Sequence, residues 1–288
     1  MKKQSEGINI MDKETQIKFA EDFKKMHSKK DPLILPNAWD VASAVIFEKT
    51  GFKAVGTTSA GVSHSLGYSD GQKITKKESL YLVEKIVKRI NIPLTVDYEG
   101  GYGTTANEIA TNVRELIQTG AIGINFEDST AESVTSLTSI AVQTNKLKAI
   151  SSIKDDLGID FFINARTDVY WLSIGDSDKQ FQETIDRANA YIGAGADGIF
   201  IPGNLTKDIL KDLVKAIDAP LNVLPSKTNY SIDDLKNLGV KRMSLGSGPV
   251  RSSIALIKDI SEELYTKKTL NTMFNTTIPY EEANKLFE

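Results

Sequence analysis

Two carboxylates end the short apolar run Leu94-Thr-Val-Asp-Tyr-Glu, and Gly100, Gly101 and Gly103 follow at once. Leu94 and Val96 favour a buried strand and the glycines a turn, so Asp97 and Glu99 are delivered from a strand end into a loop. Carboxylates in such a place are costly unless something positive meets them. Other runs end in the same way. Gly123-Ile-Asn-Phe leads to Glu127 and Asp128, Phe161-Phe-Ile-Asn-Ala leads to Arg166 and Asp168, and Ala54-Val-Gly-Thr leads to a loop with Ser59, Gly61, His64 and Asp70. A set of oxygen ligands without cysteine or clustered histidine suits a hard cation, Mg2+ or Mn2+, better than zinc. Asp97 is the candidate direct ligand. Arg166 suits a substrate carboxylate or oxyanion, with Asp168 as the partner that orients it. Arg166, Glu127 and Asp70 are the candidate catalytic groups.

Each of these residues has a plainer role open to it. Asp97 and Glu99 could cap a turn, and Asp70 lies in Tyr-Ser-Asp-Gly, itself a good turn. Glu127 and Asp128 could bridge to Arg166 purely structurally. Ser59, Ala60 and Gly61 either bind an anion through amides and a hydroxyl or simply turn tightly. Gly100-Gly-Tyr-Gly lacks the Lys-Ser/Thr of a nucleotide phosphate loop. Trp39 either walls the pocket or fills the core, His64 is expected to pack, and His27 is expected on a helix surface.

The elements that would position these groups repeat along the chain. Apolar runs begin at Leu33, Ala54, Leu94, Gly123, Phe161, Gly198, Leu221 and Arg242, with helical spacing between them, as in Leu80, Val83, Ile86, Val87 and Ile90. Such strand-to-helix units, in a chain of 288 residues, predict an α/β fold of the (β/α)8 TIM-type barrel class, with a doubly wound sheet as the competitor. The barrel is expected over about residues 31–252 in a single domain. An amphipathic helix at about 12–30 precedes it and a helical extension at 253–288 follows it. Residues 1–10 are expected to be loose. A net charge of -3 with interleaved signs gives no basic footprint for nucleic acid, and no apolar run is long enough for a membrane span. Polar sequence after Met1 predicts a cytoplasmic protein. The absence of cysteine excludes disulfides, thiolate metal sites and a cysteine acid or base.

These segments, taken in order, resemble the phosphoenolpyruvate mutase and isocitrate lyase superfamily. The resemblance rests on Leu35-Pro-Asn-Ala-Trp-Asp-Val-Ala-Ser-Ala, Thr58-Ser-Ala-Gly-Val-Ser-His-Ser-Leu-Gly-Tyr-Ser-Asp, Asp97-Tyr-Glu-Gly-Gly-Tyr-Gly, Asn125-Phe-Glu-Asp, Asn164-Ala-Arg-Thr-Asp and Gly193-Ala-Gly-Ala-Asp-Gly-Ile-Phe. It implies a barrel enzyme, assembled as a homodimer or homotetramer that exchanges a C-terminal helix, that uses Mg2+ to hold a small 2-oxo acid. Asp97 would bind the metal directly, with Asp70, Glu99 and Glu127 acting through its waters. Ser59 with the amides of Ala60 and Gly61 would cradle the substrate carboxylate, and Arg166 would contact its oxygens.

The loop after Glu127 departs from the family. The lyases carry a Lys-(Lys/Arg)-Cys-Gly-His loop there, and the mutases a Lys with Asn or Thr, whereas this chain has Ser129-Thr-Ala-Glu-Ser-Val-Thr-Ser-Leu-Thr-Ser, expected to be a solvated loop with Thr135 and Thr138 as polar gate candidates. Asn222 lies too early on the seventh strand to match the family's Asn. The leading expectation is a Mg2+-dependent lyase that cleaves or decarboxylates a 2-oxo carboxylate through an enolate. Phosphoenolpyruvate mutase or phosphonopyruvate hydrolase chemistry, and a non-catalytic 2-oxo acid binding protein, are the alternatives.

Overall fold

The computed structural model describes residues 11–130, 133–227 and 229–288. The expectation of a loose start at residues 1–10 falls outside them. Lys13–Met26 (α1) begins the described fold, its Asp12 cap accepting from Thr15 N–H at 2.9 Å. The first strand comes in two pieces, Leu33–Leu35 (β1) and Asn37–Ala38 (β2), interrupted by Pro36. Val41–Thr50 (α2), Val55–Thr57 (β3), Ser59–Ser65 (α3), Lys76–Val87 (α4), Leu94–Asp97 (β4), Ala106–Gln118 (α5) and Gly123–Glu127 (β5) follow. A small hairpin, Ser129–Thr130 (β6) and Ser133–Leu137 (β7), leads into Ile140–Leu157 (α6). The second half runs through Phe162–Arg166 (β8), Ser177–Gly193 (α7), Gly198–Phe200 (β9), Lys207–Ala216 (α8), Leu221–Val223 (β10), Ile232–Leu238 (α9) and Arg242–Ser244 (β11). Gly248–Lys267 (α10), Asn271–Thr276 (α11) and Tyr280–Lys285 (α12) end the chain.

Local chemistry explains many of the boundaries. Capping boxes, in which the first residue's side chain and that of the third helical residue each take the other's N–H, start α2 at Asp40 and Ser43, α4 at Thr75 and Glu78, α5 at Thr105 and Glu108, and α9 at Ser231 and Asp234. Gly120 and Gly195, with φ of 106° and 99°, take the left-handed conformation that ends α5 and α7 before the next strand.

All strands of the main sheet are parallel, in the order β1, β11, β10, β9, β8, β5, β4, β3, β2. The two ends of that order are the two halves of one strand. β1 pairs with β11 and β2 with β3, so the sheet closes on itself as an eight-stranded barrel and the doubly wound alternative is excluded. Proline has no N–H to give, and at Pro36 the strand changes neighbours: Leu35 O accepts from Leu245 N–H at 3.2 Å, and Pro36 O accepts from Gly56 N–H at 2.9 Å. Pro36 broke the apolar run, yet the residue beyond it continues the wall.

Barrel interiors are usually filled by branched apolar side chains. Here, alternation along the strands turns polar groups inward. Asn164 Nδ2 donates to Asn125 Oδ1 at 2.8 Å, and Asn222 Nδ2 donates to Ser244 Oγ at 3.1 Å. α1 closes the N-terminal end. Phe23 meets the Phe162 ring edge to face at 5.5 Å, His27 stacks on Phe162 at 4.2 Å, and Gln16 Nε2 donates to the carbonyls of Ile117 and Ala121. The expectation of a surface His27 is thus corrected. It is 3% exposed, its Nδ1–H donates to Phe23 O at 2.8 Å, and burial, with Arg242 nearby, pushes its pKa down to about 3. It caps α1 one residue beyond its last helical position, on the side that plugs the barrel.

Candidate active site

At the C-terminal ends of the strands, side chains of β4, β5 and β8 converge. Asp97 is the register partner of Asn125, and Glu127 that of Arg166, so alternation turns Asp97, Glu127 and Arg166 to the same interior side as the amides below them. Arg166 is the hub. Its Nε and Nη2 donate to the two oxygens of Asp168 at 2.6 and 3.0 Å, and its Nη1 meets Glu127 Oε2 at 2.9 Å. Burial works against the guanidinium charge, but Glu127, Asp168 and Asp97 outweigh it and raise its pKa. Burial likewise pushes the Glu127 carboxyl up, Arg166 opposing and Asp168 and Asp97 adding to the rise. Asp168 therefore orients Arg166, as the sequence suggested.

Asp128 does not join this group. Its Oδ2 accepts from Tyr191 OH at 2.7 Å and from Arg187 at 3.1 Å, and its Oδ1 accepts from Asp168 N–H at 3.0 Å. A bridge from Asp128 to Arg166 is thus replaced by one to Arg187, on the outward side of β5, because the two residues that end the run point to opposite faces.

Asp97 is held from one side only. Ser59 N–H and Ser59 Oγ both donate to its Oδ2, at 3.0 and 2.9 Å, while its Oδ1 is buried with no donor among the described residues. Ser59 is the first residue of α3. Its neighbours Ala60 and Gly61 occupy the first turn of that helix, and Thr58 makes no side-chain cap there. Gly61 is needed for close packing, since a Cβ there would lie 2.8 Å from Trp39 Cβ. Trp39 itself is half-buried beside the α2 cap, Asp40. His64 is half-buried on α3, its Nδ1 without a partner among the described residues.

Glu99 is 4% exposed and sits in a strained loop. Its carboxylate accepts from Gln72 N–H and from Tyr102 OH, the latter at 3.1 Å, and Gln72 Oε1 in turn accepts from Gly100 N–H at 3.2 Å. Gln72, Glu99 and Tyr102 all have φ between 50° and 56°, a conformation costly for side chains with a Cβ and typical of functional loops. Burial, then Asp97 and Asp70, push the Glu99 carboxyl up to about 7, against the bonds from Gln72 and Tyr102. Asp70 is exposed on the loop between α3 and α4, near enough for its charge to act on Glu99. Gln72 and Tyr102 were missed in the sequence because neither is a charge or a metal ligand by type.

The expected solvated loop after Asp128 contains the antiparallel hairpin of β6 and β7. Val134 and Thr135 are β-branched residues that favour strands, and this preference outweighed the polarity of the segment. Thr138 N–H donates to Asp128 O at 2.8 Å, and Thr138 O accepts from Arg187 at 2.8 Å, so its backbone helps tie the hairpin's base. The side chain of Thr135 lies outside the described residues.

A hard cation fits this donor set. Among the described residues no three Asp, Glu or His side chains form a ready-made cage, so a hard cation here would have few protein ligands and would keep several of its waters. The buried, donorless Oδ1 of Asp97 is the position that asks for a positive partner. Asp97, Glu99, Glu127 and Asp168 outnumber Arg166 and the interior Arg242, so the mouth is acid-rich, and the crowding of these acids adds to burial in raising the Glu99 and Glu127 carboxyls.

A closed parallel barrel with an acid-rich, arginine-centred mouth defines an α/β-barrel protein whose charged side chains converge at the C-terminal ends of its strands. The chain belongs to the phosphoenolpyruvate phosphomutase family, whose sequence model matches residues 23–265. It is 38% identical over 232 residues to an uncharacterised protein of Mycobacterium tuberculosis strain H37Rv, covering 81% of this chain and 84% of the other. Over 268 residues it is 25% identical to the 2-methylisocitrate lyase of Aeropyrum pernix, covering 90% of this chain and 85% of that one. A solved structure from Burkholderia cenocepacia J2315, described as a lyase/mutase, superposes with a TM-score of 0.88 at 29% identity, covering 95% of this chain and 97% of the other.

Proposed function

We propose that this protein is a Mg2+-dependent (or Mn2+-dependent) lyase that cleaves or decarboxylates a small 2-oxo carboxylate through an enolate. The observation that carries the reading is Asp97, with one oxygen fixed by Ser59 and the other buried without a donor, beside the Glu127–Arg166–Asp168 group. Asp97 would hold the metal directly, with Glu99, Glu127 and Asp70 holding its waters. When bound, the ion supplies positive charge to the substrate oxygens as the enolate develops.

The chain's own residues do the rest. Arg166, oriented by its two-pronged contact with Asp168, presents its guanidinium to a carboxylate or carbonyl oxygen and stabilises the charge that grows there. The amides of Ala60 and Gly61 lie at the start of α3, where a substrate carboxylate meets the positive helix end, and Ser59 links that position to Asp97. Trp39 would wall the pocket above them.

Kinship with a 2-methylisocitrate lyase supports the C–C lyase reading. The family model's own description favours phosphomutase chemistry as the second reading. The chain has neither the cysteine nor the lysine that the resemblance associates with these activities in the loop after Glu127. A panel of 2-oxo acids that includes oxaloacetate and phosphonopyruvate, incubated with Mg2+ or Mn2+ and followed by proton and phosphorus NMR, separates the readings. Loss of a C–C bond supports the first and of a C–P bond the second. No turnover of any member, or undiminished turnover by Asp97→Ala, removes the lyase proposal.

We further propose that the molecule works as a homodimer or tetramer. Of the 20 residues of α10 only Val250 is buried, and Ile254, Ile257, Leu264 and Tyr265 are exposed along it. A helix about 30 Å long with an apolar face suits a second copy of the chain.

A further inference from the structure

The barrel interior holds a charge that the proposed chemistry does not use. Arg242 opens β11 and is 1% exposed. In the eight-stranded circle β11 stands opposite β5, and Arg242 crosses that interior to donate from Nη2 to Asn125 Oδ1 at 3.2 Å. Among the described residues no carboxylate forms an ion pair with it. Its Nε and Nη1 have no partner among the described residues, and its guanidinium lies 5.9 Å from the Phe23 ring. Burial pulls its pKa down to about 9 and Asp97 pulls it back up, so it is a cation at neutral pH. Asn125, which it grips, is the register partner of Asp97. A lone buried arginine is expensive, and apolar packing would fill the space at lower cost.

We propose that Arg242 is a fixed internal cation beneath the metal position, which holds the acidic mouth together when no divalent ion is bound and, by like-charge repulsion, limits how tightly Asp97 binds one. The inference rests on the reading of Asp97 as a metal ligand. In the buried interior this repulsion is weakly screened, so it persists at ordinary ionic strength. Removing the charge has two opposite consequences. The metal-free protein loses a compensating cation and becomes less stable, while the same protein binds a divalent ion more tightly. General damage to the fold would weaken both.

The test uses the full chain freed of metal, titrated with Mn2+ by calorimetry at pH 8, with thermal midpoints measured with and without Mn2+. Arg242→Gln, which keeps a donor for Asn125, is expected to bind Mn2+ about fivefold or more tightly than the parent, and to melt lower without Mn2+ and gain more from it. Arg242→Lys, which keeps the charge, is expected to stay within about twofold of the parent constant. Recovery of folded Arg242→Gln only in the presence of Mn2+ also supports the proposal. Equal or weaker Mn2+ binding by Arg242→Gln, the same change in Arg242→Lys, or an Arg242→Gln chain folded neither with nor without Mn2+ overturns it and leaves a packing role. A parent protein that binds no Mn2+ overturns the metal site itself, and this inference with it.

Discussion

Ser59 turns two donors, its N–H and its hydroxyl, onto the single oxygen Oδ2 of Asp97, at 3.0 and 2.9 Å. The other oxygen is thereby aimed and left free. Asp97→Asn keeps an acceptor for Ser59 but removes the charge. It is expected to weaken Mn2+ binding at least ~100-fold by calorimetry. Because one of several crowded acids is neutralised, the metal-free protein should melt about 2–4 °C higher. Retention of the parent affinity would sink the assignment.

Arg166 owes its orientation to the two-pronged contact with Asp168. Arg166→Lys cannot make that contact and leaves Glu127 and Asp168 poorly paired. On any 2-oxo acid that the parent turns over, kcat/KM should fall about 100-fold, and Asp168→Asn should fall less, with the loss mainly in kcat. An Arg166→Lys enzyme within threefold of the parent would place the arginine outside the chemistry.

Glu99 gives a pH signature. Its folded pKa of about 7 lies above the ordinary glutamate value of 4.5, so between those values the native state holds more protons than the unfolded state. Its contribution is full below about pH 4.5 and is lost as pH rises through 7, a change on the order of 3 kcal/mol at most. Measured by urea denaturation of metal-free protein, the stability of the parent relative to Glu99→Gln should therefore fall across this window, and saturating Mg2+ should flatten the slope. A difference that stays constant with pH would refute the assignment.

The unpaired face of α10 gives an assembly test. Ile257 is 64% exposed on a helix that buries only Val250. Ile257→Asp should reduce the mass measured by light scattering to that of one chain while leaving the far-ultraviolet circular dichroism unchanged. A parent protein that already runs as a monomer would remove the homo-oligomer proposal.

Much of this architecture was legible from residue order. Runs such as Leu94-Thr-Val and Phe161-Phe-Ile carry the apolar, branched side chains of strands buried on both faces, and each ends in the charged residue it delivers to the mouth. The convergence of Asp97, Glu127 and Arg166 follows from that alternation once the sheet closes. Residues whose meaning depends on closure were not legible. Arg242 is a strand's first residue, where a charge usually meets solvent, and only the filled barrel turns it inward. His27 ends an amphipathic helix at a position that spacing leaves ambiguous, and its burial comes from docking on Phe162. Gln72 reaches Glu99 from a loop 27 residues away, through backbone geometry that no side-chain type announces.

Pro36 has a bearing on how the chain folds. Because the first strand changes neighbours there, the seam of the barrel consists of β1 against β11, with Asn37 Oδ1 accepting from Gly246 N–H across 209 residues of chain. Pairings so distant in sequence carry the largest loop-closure entropy and form slowly. The last strand also brings in Arg242, so sealing the barrel and sequestering its internal charge are one event. Seam closure is therefore expected to follow assembly of the acidic mouth, with the amides of Leu33 and Leu245 among the last to gain protection in pulse-labelled hydrogen exchange.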